Sequence, residues 1–244
     1  MRIDVAALLF DIDGTLVASI DTVERVWRAW AATRGLDPEP ILLTCHGRRS
    51  EDTLAELLPQ EEIPRALAEL DALELEYAGS EVALPGTRAL LEQLARETHP
   101  RWAAVTSGGR SIMEPRLRAT GLPVPPVFIA AEDVPRGKPD PAGYRMAARE
   151  LGVDPADCLV IEDAPAGIGA GLAAGGHVLA VATSHSEPEL QSAATFFAAM
   201  LGHSNRSNDH SGTGAKSAAQ FAVVGDLDAC EFVLDPDRIR VRTR

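Results

Sequence analysis

Two aspartates two residues apart, Asp11 and Asp13, follow the apolar run Val5-Ala6-Ala7-Leu8-Leu9-Phe10. An unbroken apolar run of this length reads as a strand covered on both faces. On a continuing strand the two carboxylates project to one side, where their repulsion has to be offset by a bound cation or a proton. The plainer alternative is a polar strand end turning on Gly14. Three other segments bear on the choice. Ala103-Ala104-Val105 runs into Thr106-Ser107-Gly108-Gly109, two hydroxyls before a glycine turn whose N–H groups can approach an anion. Gly137-Lys138-Pro139-Asp140 frames a lysine in a chain whose only other lysine is Lys216. Leu159-Val160-Ile161 ends in Glu162-Asp163, two further carboxylates before Ala164-Pro165-Ala166-Gly167.

Each segment alone has an ordinary explanation: a turn, a surface lysine, carboxylates at the positive end of a helix. Together they assemble one reaction. Oxygens from Asp11, the main-chain carbonyl of Asp13 and Asp163 suit a hard octahedral cation such as Mg2+, with Glu162 binding through water or orienting the site. That cation and Lys138 would screen an incoming phosphate and keep Asp11 ionised. Thr106, Ser107 and the N–H groups after them would take phosphoryl oxygens as charge spreads in the transition state.

These residues need a scaffold that brings distant segments to one edge. From residue 85 onward strands and helices alternate: strands at 102–105, 127–129, 158–161 and 177–181, helices at 87–97, 111–119, 141–151 and 166–174. That order predicts a doubly wound α/β fold with a parallel sheet, whose ligands bind beyond the carboxyl ends of the strands. Between the first strand and this block, residues 20–33, 50–58 and 64–77 carry apolar residues at three- and four-residue spacing. Residues 18–84 therefore read as an all-helical insert above the sheet edge, a lid over a core of 1–17 and 85–244. A helix is expected at 187–200 and a strand at 221–224. The polar stretch 202–217 reads as a mobile loop. His203 and His210, with His185 upstream, lack the spacing of a metal site. The basic tail 238–244 is expected to be solvated.

The four motifs, in order and across nearly the whole chain, resemble the haloacid dehalogenase superfamily, which implies a Rossmann-like core. The resemblance implies that Asp11 is a nucleophile forming an aspartyl-phosphate and Asp13 the general acid and then base. It assigns Thr106 and Lys138 to phosphate, and Asp163 with Glu162 to the metal. Dehalogenases of this type need neither a second aspartate nor a metal, so Asp13 and the Glu162-Asp163 pair favour phosphoryl transfer. Phosphonate hydrolases use a cap lysine, and residues 18–84 contain none. His46-Gly47-Arg48-Arg49, Glu114-Pro115-Arg116-Leu117 and the segment Glu162–Ile168 are similar to phosphatases of glycerol phosphate and 2-deoxyglucose-6-phosphate. The expected activity is thus a Mg2+-dependent phosphatase of small sugar or polyol phosphates. A β-phosphoglucomutase-like mutase, or a binding protein that has lost turnover, are the alternatives. Arg48 and Arg49 either close over substrate or hold salt bridges on a helix face. His46 either caps a helix or meets substrate.

Composition sets the partners. The net charge of −13 argues against nucleic acid or an anionic membrane surface, and 45% apolar residues suffice for a core. Cys45, Cys158 and Cys230 show no metal spacing and no disulfide framework, which suggests a reducing compartment. With no leader segment and no bilayer-length apolar run, a cytoplasmic protein, monomeric or weakly dimeric, is expected.

Overall fold

The structure, a computed structural model, describes residues 1–205 and 220–243. The strands are β1 (Arg2–Val5), β2 (Ala7–Phe10), β3 (Val17–Ala18), β4 (Val82–Ala83), β5 (Trp102–Val105) and β6 (Val127–Ile129). They continue with β7 (Cys158–Glu162), β8 (His177–Val181), β9 (Phe221–Val224), β10 (Cys230–Leu234) and β11 (Ile239–Thr243). The first helices are α1 (Ile20–Arg34), α2 (Glu39–Cys45), α3 (Ser50–Leu57) and α4 (Ile63–Tyr77). After them come α5 (Thr87–Leu94), α6 (Arg110–Ala119), α7 (Ala142–Leu151), α8 (Pro165–Ala174) and α9 (Glu187–Asn205).

Six of these strands form a parallel sheet in the order β6-β5-β2-β7-β8-β9. Both faces are buried, which is why the strands read as continuous apolar runs rather than alternating ones. Leu8, Phe10, Trp102, Ala104, Leu159 and Ile161 pack on one face with Leu91 of α5 and Leu117 of α6. Leu9, Ala103 and Val160 pack on the other with Tyr144 of α7, Ile168 of α8 and Leu190 of α9. Register sets the site: Phe10 lies level with Ala104 on one side and Ile161 on the other. Asp11, Thr106 and Glu162 therefore emerge at the same edge, at the carboxyl ends of three adjacent strands.

Helices α1 to α4 stand between β3 and β4, which pair antiparallel as the outgoing and returning crossings. They enclose a separate cluster of Trp27, Trp30, Ile41, Leu42, Leu54, Ile63 and Leu70. Helix α2 falls outside the three helical segments that the sequence spacing predicts between residues 18 and 84. Proline is in fact tolerated in a helix's first turn, where its missing N–H has no intrahelical partner to lose, and Pro40 occupies that turn.

Two expectations about the chain ends change. The first apolar run is divided at Ala6, so β1 leaves the central sheet and pairs with β11. Of the tail expected to be solvated, Ile239–Thr243 form β11, the middle strand of an antiparallel sheet ordered β1-β11-β10, with Ile239 and Val241 buried against the core. Ile239 and Val241 alternate with Arg240 and Arg242, and that period of two places one face inward. Of the polar stretch expected as a loop, 202–205 complete α9, while 206–217, with His210 and Lys216, lie outside the described residues. The side chain of His203 also lies outside them.

Candidate active site

Asp11 continues the ladder beyond β2, its N–H donating to the Ile161 carbonyl at 3.0 Å, and its side chain is buried. The Lys138 ammonium, delivered by the loop before α7, donates to Asp11 Oδ1 and to Glu162 Oε1, both at 2.6 Å. Glu162 is held in turn: Oε1 accepts the Tyr144 hydroxyl at 2.8 Å, and Oε2 accepts the N–H groups of Asp163 and Ala164 at 3.1 and 3.3 Å. A Cβ on Gly167, in the first turn of α8, would collide with this carboxylate, so the helix approaches Glu162 this closely with a glycine there. Asp163 Oδ1 accepts the Thr15 hydroxyl at 3.1 Å, and its carbonyl accepts Ser184 Oγ at 2.7 Å. Gly14 turns at φ +74° directly against Asp163, where any side chain would strike the carboxylate.

The charges in this cluster do not balance. Burial pushes Asp11 well above the usual carboxylate range; Lys138 pulls it down, and Glu162 and Asp163 push it further up. Burial and Glu162 push Asp163 up to about 7 despite hydrogen bonds from Ser184 and Thr15. On Lys138, burial works against the charge, but Asp11 and Glu162 outweigh it and raise its pKa. Three buried carboxylates thus share one ammonium. Ligand oxygens of Asp11, Glu162 and Asp163 lie within 4.8 Å of one another. An all-oxygen donor set short of positive charge fits a hard divalent cation.

Asp13 lies beside this cluster on the cap side. Its Oδ1 accepts Ser19 Oγ at 2.6 Å and Arg116 Nη1 at 2.6 Å. Arg116, whose side chain is 3% exposed, also pairs through Nη2 with Glu74 of α4, and its Nε lies 3.7 Å from Glu81 Oε1. Burial disfavours the guanidinium charge, and the carboxylates of Asp13 and Glu74 more than restore it, raising the pKa.

Thr106 is buried, with its N–H bonded to the Ile129 carbonyl at 2.9 Å and Oγ1 accepting the Gly108 N–H at 3.1 Å. Ser107 Oγ donates to the Gly47 carbonyl of the cap at 2.9 Å. Asp11, Asp13, Thr106, Ser107 and Asp163 line a cavity of ≈ 70 Å³ that the cap roofs with Trp27, His46, Arg48 and Glu74. Burial and the nearby His185 lower the pKa of His46 and so favour its neutral ring. Arg48 lines the cavity while pairing with Glu56 at 2.5 Å. Arg49 is taken up elsewhere, by Asp52 at 2.7 and 2.8 Å and by the Val134 carbonyl at 3.0 Å, across the seam between cap and core.

Sequence reasoning gave no role to Arg116, Glu74 or Tyr144. A signal for Arg116 was present: it shares the buried face of α6 with Ile112, Met113 and Leu117, so a cation occupies an apolar position of an amphipathic helix. Tyr144 and Glu74 carry no comparable mark, because their partners lie far away in sequence.

The geometry agrees with three comparisons. The model of the family described as haloacid dehalogenase-like hydrolase matches residues 5–175. Hexitol phosphatase A of Escherichia coli is 43% identical over 185 residues, covering 75% of this chain and 85% of that protein. Glycerol-1-phosphate phosphohydrolase 2 of Saccharomyces cerevisiae is 33% identical over 193 residues, covering 75% and 77%. Among solved structures, a hydrolase from Pseudomonas syringae superposes with a TM-score of 0.71 at 25% identity, covering 77% of this chain and 90% of that one. The chain belongs to the haloacid dehalogenase-like hydrolases.

Proposed function

We propose that this haloacid dehalogenase-like phosphatase hydrolyses phosphate monoesters of small sugars and polyols, passing the phosphoryl group through Asp11. The observation that carries the reading is the buried meeting of Asp11 and Asp163 at the floor of a cavity roofed by the cap, with Lys138 bonded to Asp11. Its similarity to enzymes named for hexitol and glycerol phosphates supports the substrate class. Asp11, Asp163 and the Asp13 carbonyl would hold Mg2+ with Glu162 beside them, and the bound cation would supply charge neutralisation at the phosphoryl group.

The remaining steps belong to the side chains. Lys138 draws a phosphoryl oxygen and favours the ionised form of Asp11, while the Thr106 hydroxyl and the Ser107 N–H take the other oxygens. Asp11 forms a bond to phosphorus as the ester P–O bond breaks, and Asp13 gives its proton to the departing oxygen. Asp13 then takes a proton from water, which attacks the aspartyl-phosphate and frees Asp11. The closed cap excludes bulk water, and the polar roof of His46 and Arg48 meets the hydroxyls of the polyol.

Phosphate release from hexitol, hexose, pentose and glycerol phosphates tests the proposal. Turnover with Mg2+, highest kcat/KM on sugar and polyol phosphates, and silence in EDTA reversed by Mg2+ are expected. No release from any of them, or activity indifferent to chelation, would contradict it.

A further inference from the structure

Three separate parts of the molecule meet at the Arg116 side chain: the loop after β2, through Asp13; the cap helix α4, through Glu74; and the crossing that enters β4, through Glu81. It belongs to none of them, standing on the core helix α6. Two features make this more than neutralisation of buried acids. The first concerns the carboxyl of Asp13. Two donors, Arg116 and Ser19, sit on Oδ1 alone, and among the described residues none reaches Oδ2. Holding one oxygen from two directions fixes the carboxyl plane and leaves the other oxygen for proton exchange. The second concerns the forked geometry of the guanidinium. Its two terminal nitrogens are divided between Asp13 and Glu74, and its Nε, which makes no hydrogen bond, faces Glu81 at ion-pair distance. Withdrawal of α4 would take Glu74 away and leave the Nη2 arm of this buried cation without its partner.

We propose that Arg116 is a positioning residue that aims Asp13 at the leaving oxygen and does so only while Glu74 of the seated cap holds its other arm. The inference rests on the acid role of Asp13 proposed above. In that step the Asp13 O–H proton passes to the ester oxygen as the P–O bond breaks and the Asp11 oxygen bonds to phosphorus. A misaimed Asp13 therefore slows cleavage of esters whose alkoxide needs that proton. Phosphoryl transfer from p-nitrophenyl phosphate to Asp11, in which the phenolate departs unprotonated, is much less affected.

The test compares kcat/KM, which reports phosphorylation of Asp11 and not its later hydrolysis, on a sugar or polyol phosphate and on p-nitrophenyl phosphate for wild type and five variants, each shown to be folded by circular dichroism. Asp13→Asn sets the scale, with the alkyl ester losing at least about a hundredfold more than the aryl ester. Arg116→Met is expected to lose about ten- to a hundredfold on the alkyl ester and only a few-fold on the aryl one. Arg116→Lys, which keeps the charge but cannot hold Asp13 and Glu74 together, should fall between, and serves if the methionine variant does not fold. Glu74→Gln should shift the ratio in the same direction, and combining it with Arg116→Met should add nothing. Equal losses on both esters in the Arg116 variants, with Asp13→Asn still discriminating, would reduce Arg116 to a structural ion pair and overturn the inference alone. If Asp13→Asn itself fails to discriminate, the acid role falls and takes this inference with it.

Discussion

Asp163 sets a pH dependence that can be measured without substrate. Its carboxyl is raised from 3.8 to about 7 by burial first and Glu162 second. A group raised in the folded state gives stability that is full below its unfolded value and is lost as pH climbs through the folded one. The metal-free protein therefore loses this contribution between about pH 4 and 7. A cation binding Asp163 has to displace that proton at pH 5 and meets a bare carboxylate at pH 8, which makes binding about a hundredfold weaker at pH 5. Mg2+ should raise Tm more at pH 8 than at pH 5, and Asp163→Asn should shrink the difference. Equal Tm shifts at the two pH values would show that the cation does not bind there. At this scale the sequence was legible where polar residues followed apolar runs. Asp11, Thr106 and Asp163 carry that mark, whereas the bracket of Tyr144 and Glu162 around Lys138 is visible only in three dimensions.

Elements position these groups through register and glycine turns. The parallel pairing of β2 with β5 and β7 brings Asp11, Thr106 and Glu162 to one edge, and this followed from the alternation of strands and helices in the sequence. The second sheet did not follow, because its three short strands lie at the two chain ends and β1 pairs with β11 across more than two hundred residues. In β11 the alternation of Ile239 and Val241 with arginines was legible, yet the high arginine content masked it. Ile239 is fully buried, so Ile239→Ala should cost about 2–4 kcal/mol in urea denaturation. Its distance in the fold from the cavity predicts unchanged kcat for the molecules that remain folded. A loss below about 0.5 kcal/mol would mean that β11 is not a structural strand of the core.

As a whole the molecule is an acidic body with its reactive groups sealed between a parallel sheet and a helical roof. The seam between them carries attractions of three kinds: Ser107 to the Gly47 carbonyl, Arg49 to the Val134 carbonyl, and Arg116 to Glu74. It also carries a repulsion, since Asp71 of α4 is pushed upward by burial and by Glu132 of the core. A roof held by a few polar contacts over so small a cavity has to lift for substrate to enter, and the chemistry proposed for Asp11 needs it shut again. That insertion was legible from helical spacing between the first strand and the rest, but which cap residues face the cavity was not. Arg48 and Arg49 are adjacent in sequence, and one lines the cavity while the other clasps the core. The central claim is that phosphorus is carried on Asp11, and the Asp13→Asn variant exposes it. With p-nitrophenyl phosphate the first step needs no acid while the second lacks its base, so the phosphorylated enzyme should accumulate. Acid quenching, borohydride reduction and peptide mass spectrometry should then find homoserine at position 11, dependent on substrate and Mg2+. Release of p-nitrophenol with Asp11 unmodified, or with the label on another residue, would contradict the account.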